Sequence, residues 1–183
     1  MKFIFDFDDV LFYTTKKLRE RIYSTLGKVG ILRDPIKSYF ERERWNNFSL
    51  KKMLTYFSVS KKLYEEIMKE SKNFVNKELL RIIKKIDKSD CYIITYGDEK
   101  FQQDKIRRTG IAPFFSSVLV TSGSKKNAIE GICNKYKEEK VLFIDDKSKH
   151  FEDLDMKKYP NLKTILYDEH GLEKLKKEIN NNQ

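Results

Sequence analysis

Acidic residues collect where apolar runs of this chain stop. Asp6, Asp8 and Asp9 interrupt KFIFDFDDVLF (2–12), and Asp145 and Asp146 end KVLFIDD (140–146). A hydroxyl, Thr95, closes CYIIT (91–95), and Lys125 and Lys126 follow SSVLVT (116–121). Carboxylates brought this close repel one another, and some would hold on to protons unless a cation sat among them. Oxygen donors without neighbouring His or Cys suit a hard dication, so Mg²⁺ is the expected cofactor rather than zinc. No Cys-x-x-Cys pair exists, and His150 and His170 stand far apart, so no zinc site is expected.

For these groups to meet, the runs that carry them must be neighbouring strands. The run at 2–12 reads as a buried strand that delivers its carboxylates to a loop. After Ile86, β-branched runs at 91–95, 116–121, 140–146 and 162–168 alternate with helical stripes such as Phe101–Ile106 and Ala128–Tyr136. Asp98 is placed to cap the first of these helices and Gly110 to end it. The pattern predicts an α/β fold, a Rossmann-like parallel sheet with helices on both faces. Ligands bind such sheets at the carboxyl ends of the strands, where the acids, Thr95 and the lysines fall.

Residues 14–86 carry helical spacing instead: Leu18, Ile22, Leu26; Leu50, Met53, Leu54, Phe57; Leu63, Ile67, Met68; Leu79, Ile82, Ile83, Ile86. About five helices are predicted, with Thr14 or Thr15, Asp34 before Pro35, Ser49 and Ser60 as starting signals. The division of the chain is therefore 1–13 and 87–183 for a Rossmann-like core, and 14–86 for a small all-helical insert. The polar end, Asn180 to Gln183, reads as frayed.

The chain has 183 residues, 39% of them hydrophobic, enough for one packed core. Its apolar runs are too short to span a bilayer, and the first is stopped at once by acids, unlike a signal peptide. A cytoplasmic protein starting near Met1, without membrane association, is expected, with Cys91 and Cys133 as reduced core thiols. The net charge of +10 favours anionic partners, yet its lysines are spread along the chain, which also describes an ordinary solvated surface. The oligomeric state is not legible.

With the motifs in place, the sequence resembles the haloacid dehalogenase-like (HAD) hydrolase superfamily, most of whose members are phosphatases. Asp6-Phe7-Asp8-Asp9-Val10 is similar to its first motif, IIT with Thr95 to its second, SGSKKNAI to its third and FIDD with Asp145 and Asp146 to its fourth. KIRRTGIAPFF also resembles a segment found between the second and third. The resemblance covers 1–13 and 87–183, and the helical insert falls where many members carry a mobile cap.

The resemblance implies a Mg²⁺-dependent phosphohydrolase. Asp6 would be the nucleophile that forms an aspartyl-phosphate, and Asp8 the general acid and then base. Thr95 and Lys125 would bind the phosphoryl group. The metal would sit on Asp6, Asp145 and Asp146, with Asp8 contributing its backbone carbonyl. Lys126 rivals Lys125 for its role. Asp9 reads as a turn residue, His150 as a surface residue, and Trp45, Tyr39, Phe40 and Phe48 as cap core. Tyr13, Lys16, Arg42 and Arg44 are cap or hinge residues to which no substrate contact is assigned from the sequence. The implied substrate is a small phosphorylated metabolite. Two alternatives are a nucleic-acid end-processing phosphatase, which the absence of an aromatic-interleaved basic module disfavours, and a non-catalytic HAD-like binding scaffold. Asp8 argues for phosphoryl transfer over dehalogenation, since a halide leaves without a proton; phosphomutases share it.

Overall fold

Five short β-branched and aromatic runs pair in the computed structural model, which describes residues 1–43 and 47–181. The strands are β1 (Lys2–Phe5), β2 (Cys91–Tyr96), β3 (Ser117–Thr121), β4 (Val141–Asp145) and β5 (Leu162–Leu166), all parallel, in the order β3-β2-β1-β4-β5. The α/β, Rossmann-like architecture expected from the sequence is the one observed. The winding runs from β1 through β2 to β3 on one side and resumes with β4 on the other, so the switch point lies between the carboxyl ends of β1 and β4. Register sets the acids level: Phe5 pairs with Ile144 and with Ile93, and the Asp6 amide donates to the Ile144 carbonyl at 2.8 Å.

Alternation along the strands builds two cores. Phe3, Phe5, Cys91, Ile93, Leu142, Ile144 and Ile165 face one side, where α6 (Glu99–Thr109) and α8 (Gly171–Asn180) contribute Phe101, Ile106 and Leu175. Ile4, Tyr92, Ile94, Val141, Phe143 and Leu162 face the other, packing on Ile129 and Cys133 of α7 (Lys126–Lys135). Both cysteines are buried and unpaired.

Between β1 and β2 lie α1 (Arg19–Gly27), α2 (Arg33–Arg42), α3 (Leu50–Tyr56), α4 (Lys62–Met68) and α5 (Lys77–Ile83). Their apolar faces join the first core: Leu18, Ile22, Leu26, Met53, Ile67 and Leu79 are in one buried cluster with Phe5 and Ile93. Tyr39 and Phe40 are buried in this block, as expected, and Phe48 packs on Phe101, ring centroids 5.6 Å apart. The chain leaves and re-enters the sheet layer through segments lying side by side. Tyr13 donates its amide to the Phe74 carbonyl, Asn76 donates its amide to the Leu11 carbonyl and its side chain to the Val10 carbonyl, and Phe12 bridges Val75.

Local starting signals fared unevenly. Asp98 accepts from the Phe101 amide and caps α6, and Gly110 ends it at φ +70°. Thr14 and Thr15, by contrast, do not cap: the chain enters α1 through a π-helical turn, Thr14–Leu18, and Asp9 accepts from the amide and hydroxyl of Thr15. Tertiary geometry overrides a local cap here because the Thr14 hydroxyl donates to Asp8. α2 begins at Arg33, which places Asp34 in its first turn rather than ahead of it. Asn180, expected to fray, is the last residue of α8, with Asn181 following as its cap; Arg44, Trp45 and residues 182–183 lie outside the described residues.

Candidate active site

β1 is followed by a tight loop that aims two carboxylates differently. The Phe7 carbonyl accepts from the amides of Leu11 and Phe12, the Phe7 and Phe12 rings stack at 5.1 Å, and Asp9 takes φ +58° at the turn. Aspartate tolerates this left-handed conformation better than most residues, which gives Asp9 its turn role. Asp6 stays in line with the strand and Asp8 leaves it.

Asp6 is buried beside β4. Oxygen atoms of Asp6, Asp145 and Asp146 lie within 4.8 Å of one another. Lys125 is almost fully buried between them: its Nζ donates to Asp145 Oδ2 at 2.6 Å and lies 2.8 Å from Asp6 Oδ1. Lys126 points elsewhere, to Glu130 and the Asp153 carbonyl, so Lys125 is the lysine at the cluster. Thr95, in the strand as expected and one residue before the end of β2, is buried with no hydrogen-bond partner for its hydroxyl, whereas Asp6 Oδ1 is ion-paired with Lys125. The chain thus brings together Asp6, Lys125, Asp145 and Asp146, with Thr95 on the neighbouring strand.

The electrostatics are unbalanced. Burial pushes the Asp6 carboxyl up; Lys125 pulls it down, but Asp145 and Asp8 push it up again. Asp146 is raised to about 7, first by burial and then by Asp6 and Asp145, despite Lys147. Burial works the same way on Asp145, yet hydrogen bonds and charge from His150 and Lys125 bring it to about 2. His150 is therefore no free surface residue: its Nδ1 lies 2.8 Å from Asp145 Oδ2. The Lys147 amide donates to Asp145 Oδ1, and its Nζ lies 3.3 Å from Asp146.

This donor set suits a magnesium ion. It is all oxygen and carries more carboxylate than Lys125 neutralises. Its Asp146 carboxyl, raised to about 7 by burial and by Asp6 and Asp145, is the charge a bound cation would stabilise.

Asp8 sits in a different setting. Lys105 on α6 donates to its Oδ1 at 2.5 Å, Thr14 donates to the same oxygen, and Gln102 donates to Oδ2 at 2.7 Å. Burial alone would raise its carboxyl; the charge of Lys105 and these three hydrogen bonds hold it below its ordinary value. Lys105 is only 2% exposed, with Nζ 5.0–5.7 Å from the ring centres of Phe101, Phe7 and Phe12. Gln102 lies outside the motifs, and Lys105 opens the KIRRTGIAPFF segment without a role assigned to it there. A signal did exist: Lys105 falls on the stripe Phe101–Gln102–Lys105–Ile106–Thr109, all buried, and a lysine on a buried stripe requires a partner.

The remaining expected residues are dispersed. Lys16 is exposed, and Tyr13 stacks under Lys17 at 4.9 Å. Arg42 lies over the rings of Tyr39 and Tyr56 at 4.8 and 4.4 Å.

No protein-family model and no curated protein matches the sequence. Solved structures do match the fold. A candidate haloacid dehalogenase-like hydrolase from Burkholderia xenovorans superposes with a TM-score of 0.68 at 17% identity, over 94% of this chain and 89% of its own. A hydrolase from Streptococcus pneumoniae gives 0.57 at 17%, over 98% and 97%. A candidate HAD-hydrolase from Bacillus subtilis, bound to magnesium, gives 0.54 at 17%, over 90% and 85%. The fold is the one these hydrolases share.

Proposed function

We propose that this chain is a phosphomonoesterase of the HAD type, acting through an aspartyl-phosphate on Asp6. The observation that carries the proposal is the pairing of two unlike carboxylates on one loop: Asp6 beside Lys125, Asp145 and Asp146, and Asp8 held separately by donors from α6. A nucleophile and a proton-transfer group need such different surroundings.

In the first half, an Asp6 oxygen forms a bond to phosphorus while the bond to the leaving oxygen breaks, and Asp8 gives that oxygen a proton. In the second, water attacks the phosphorus, Asp8 takes its proton, and Asp6 departs as a carboxylate. Asp8 rests ionised beside Lys105; the approach of a phosphate dianion raises its proton affinity, so it takes up a proton from solvent as substrate binds and passes that proton on in the first half. Thr95 and Lys125 would hold phosphoryl oxygens; Lys125 would leave Asp6 in part to do so. The carboxylates of Asp6, Asp145 and Asp146 and the Asp8 backbone carbonyl would hold Mg²⁺. When bound, it supplies the positive charge that lets an anionic nucleophile meet an anionic phosphate.

The block of α1–α5 would serve as a cap over the strand ends, closing on a small phosphorylated metabolite and excluding water. It joins the sheet through two adjoining connections, at residues 10–13 and 74–76, and rests on α6 through Tyr64–Asp104, Glu65–Arg108 and Phe48–Phe101 contacts that closure would have to keep or remake. Among the described residues no helix is long and apolar enough to cross a membrane. Two buried free thiols suit the reducing cytoplasm, where we place the protein.

Hydrolysis of an aryl phosphate tests the reading. Turnover should require Mg²⁺, stop with chelator, and be absent in Asp6→Asn. No turnover of aryl or acetyl phosphate at any Mg²⁺ concentration would overturn it in favour of a non-catalytic scaffold.

A further inference from the structure

We propose that Lys105 and Gln102 of α6 are positioning residues that fix which oxygen of Asp8 exchanges a proton with the departing group. The proposal rests on the phosphohydrolase reading above. A carboxylate is symmetric, and each oxygen has about two lone-pair sites. Oδ1 is filled: Lys105 Nζ donates to it at 2.5 Å and the Thr14 hydroxyl donates to it as well. Oδ2 accepts one hydrogen bond, from Gln102 Nε2 at 2.7 Å, and keeps a site open. The contacts therefore break the symmetry and leave Oδ2 as the proton-carrying atom.

Both donors are held in place. Gln102 Nε2 also donates to the Tyr96 carbonyl at 2.8 Å, tying the amide to the end of β2. Gly97 makes room for it: at φ +148°, a Cβ on Gly97 would lie 2.8 Å from Gln102 Nε2. Lys105 is enclosed by Phe7, Phe12 and Phe101, and Asp8 is the one carboxylate paired with it among the described residues. A lysine placed only for packing would carry no reason to end on the second acid of this loop, and a lysine that cannot reach water cannot serve solubility. The phosphoryl-binding cluster has its own buried lysine, Lys125, so Lys105 is not a duplicate of it.

Leaving-group dependence separates positioning from mere structural support. An alkyl phosphate leaves as a poor alkoxide and needs the Asp8 proton; dinitrophenyl phosphate leaves as a stable anion and does not. Lys105→Met should lower kcat on an alkyl phosphate roughly a hundredfold and on dinitrophenyl phosphate less than about tenfold, the span expected when a general acid is misplaced. Gln102→Leu, close in size and neutral like glutamine, should show the same pattern at about a tenth of the size, and it decides the matter if Lys105→Met does not fold. Asp8→Asn provides the reference pattern. Equal losses on both substrates in an active, folded variant would overturn this inference alone. A wild type that hydrolyses neither substrate would overturn the phosphohydrolase reading, and this inference with it.

Discussion

Asp6 and Asp8 are two residues apart on one loop, yet their surroundings act on them in opposite directions. Asp6 shares Lys125 with Asp145, lies near Asp146, and is pushed above the ordinary carboxylate value. Asp8 has Lys105 to itself, with Thr14 and Gln102 beside it, and is held below that value. The difference is one of charge count: the strand-end cluster is short of positive charge, and the α6 pocket is balanced. Only the cluster has a reason to bind a cation, and only the pocket is complete without one.

The sharpest way to break this contrast is catalytic. Asp6→Asn should lower turnover at least roughly a thousandfold on alkyl and dinitrophenyl phosphates alike, because a nucleophile is required whatever group leaves. A leaving-group-dependent loss in Asp6→Asn would assign the two aspartates the other way round.

Stability gives the next largest effect. Asp8→Asn strands a buried ammonium and should destabilise by about 3 kcal/mol in chemical denaturation. Because the folded-state value of Asp8 is depressed, its contribution is present above the ordinary carboxylate range and is lost as pH falls through the folded value. The wild-type advantage over Asp8→Asn should therefore shrink in acid; an advantage that does not change with pH would mean that the Lys105 pair contributes nothing.

Magnesium affinity should report on the cluster. Asp146 is raised to about 7, so below that pH a cation must displace a proton. Calorimetric titration with Mg²⁺ should show affinity falling by up to roughly tenfold per pH unit below about 7, with proton release into the buffer. Without metal the sign for stability is the reverse of that for Asp8. A raised folded value makes the Asp146 charge oppose folding, with no opposition below the unfolded value and full opposition above about 7.

The smallest effect is also the most telling. In metal-free protein, Asp6→Asn should leave stability unchanged or raise it by about 1 kcal/mol, since it removes repulsion from a crowded site. Thermal melts in chelator, alongside Asp8→Asn, should move in opposite directions.

Periodicity and strand-end chemistry made much of this legible. Short β-branched runs fixed the parallel sheet, and acids where those runs stop fixed Asp6, Asp145 and Asp146 at one edge, because parallel strands deliver their carboxyl ends together. The Asp98 cap and the Gly110 stop were readable for the same local reason. Thr14 and Thr15 misled as capping signals because their hydroxyls are taken by Asp8 and Asp9, and Asp34 because α2 already begins at Arg33.

What the sequence by itself determined was the fold, the carboxyl edge and the class of chemistry that edge suits. Only the tertiary structure decided which lysine enters the cluster, since Lys125 and Lys126 are adjacent and differ solely in the face of the chain they occupy. It alone turned His150 onto Asp145 and placed Lys105 against Asp8 across 97 residues. Pairing between buried charges depends on which elements pack together, and no local pattern along the chain encodes that.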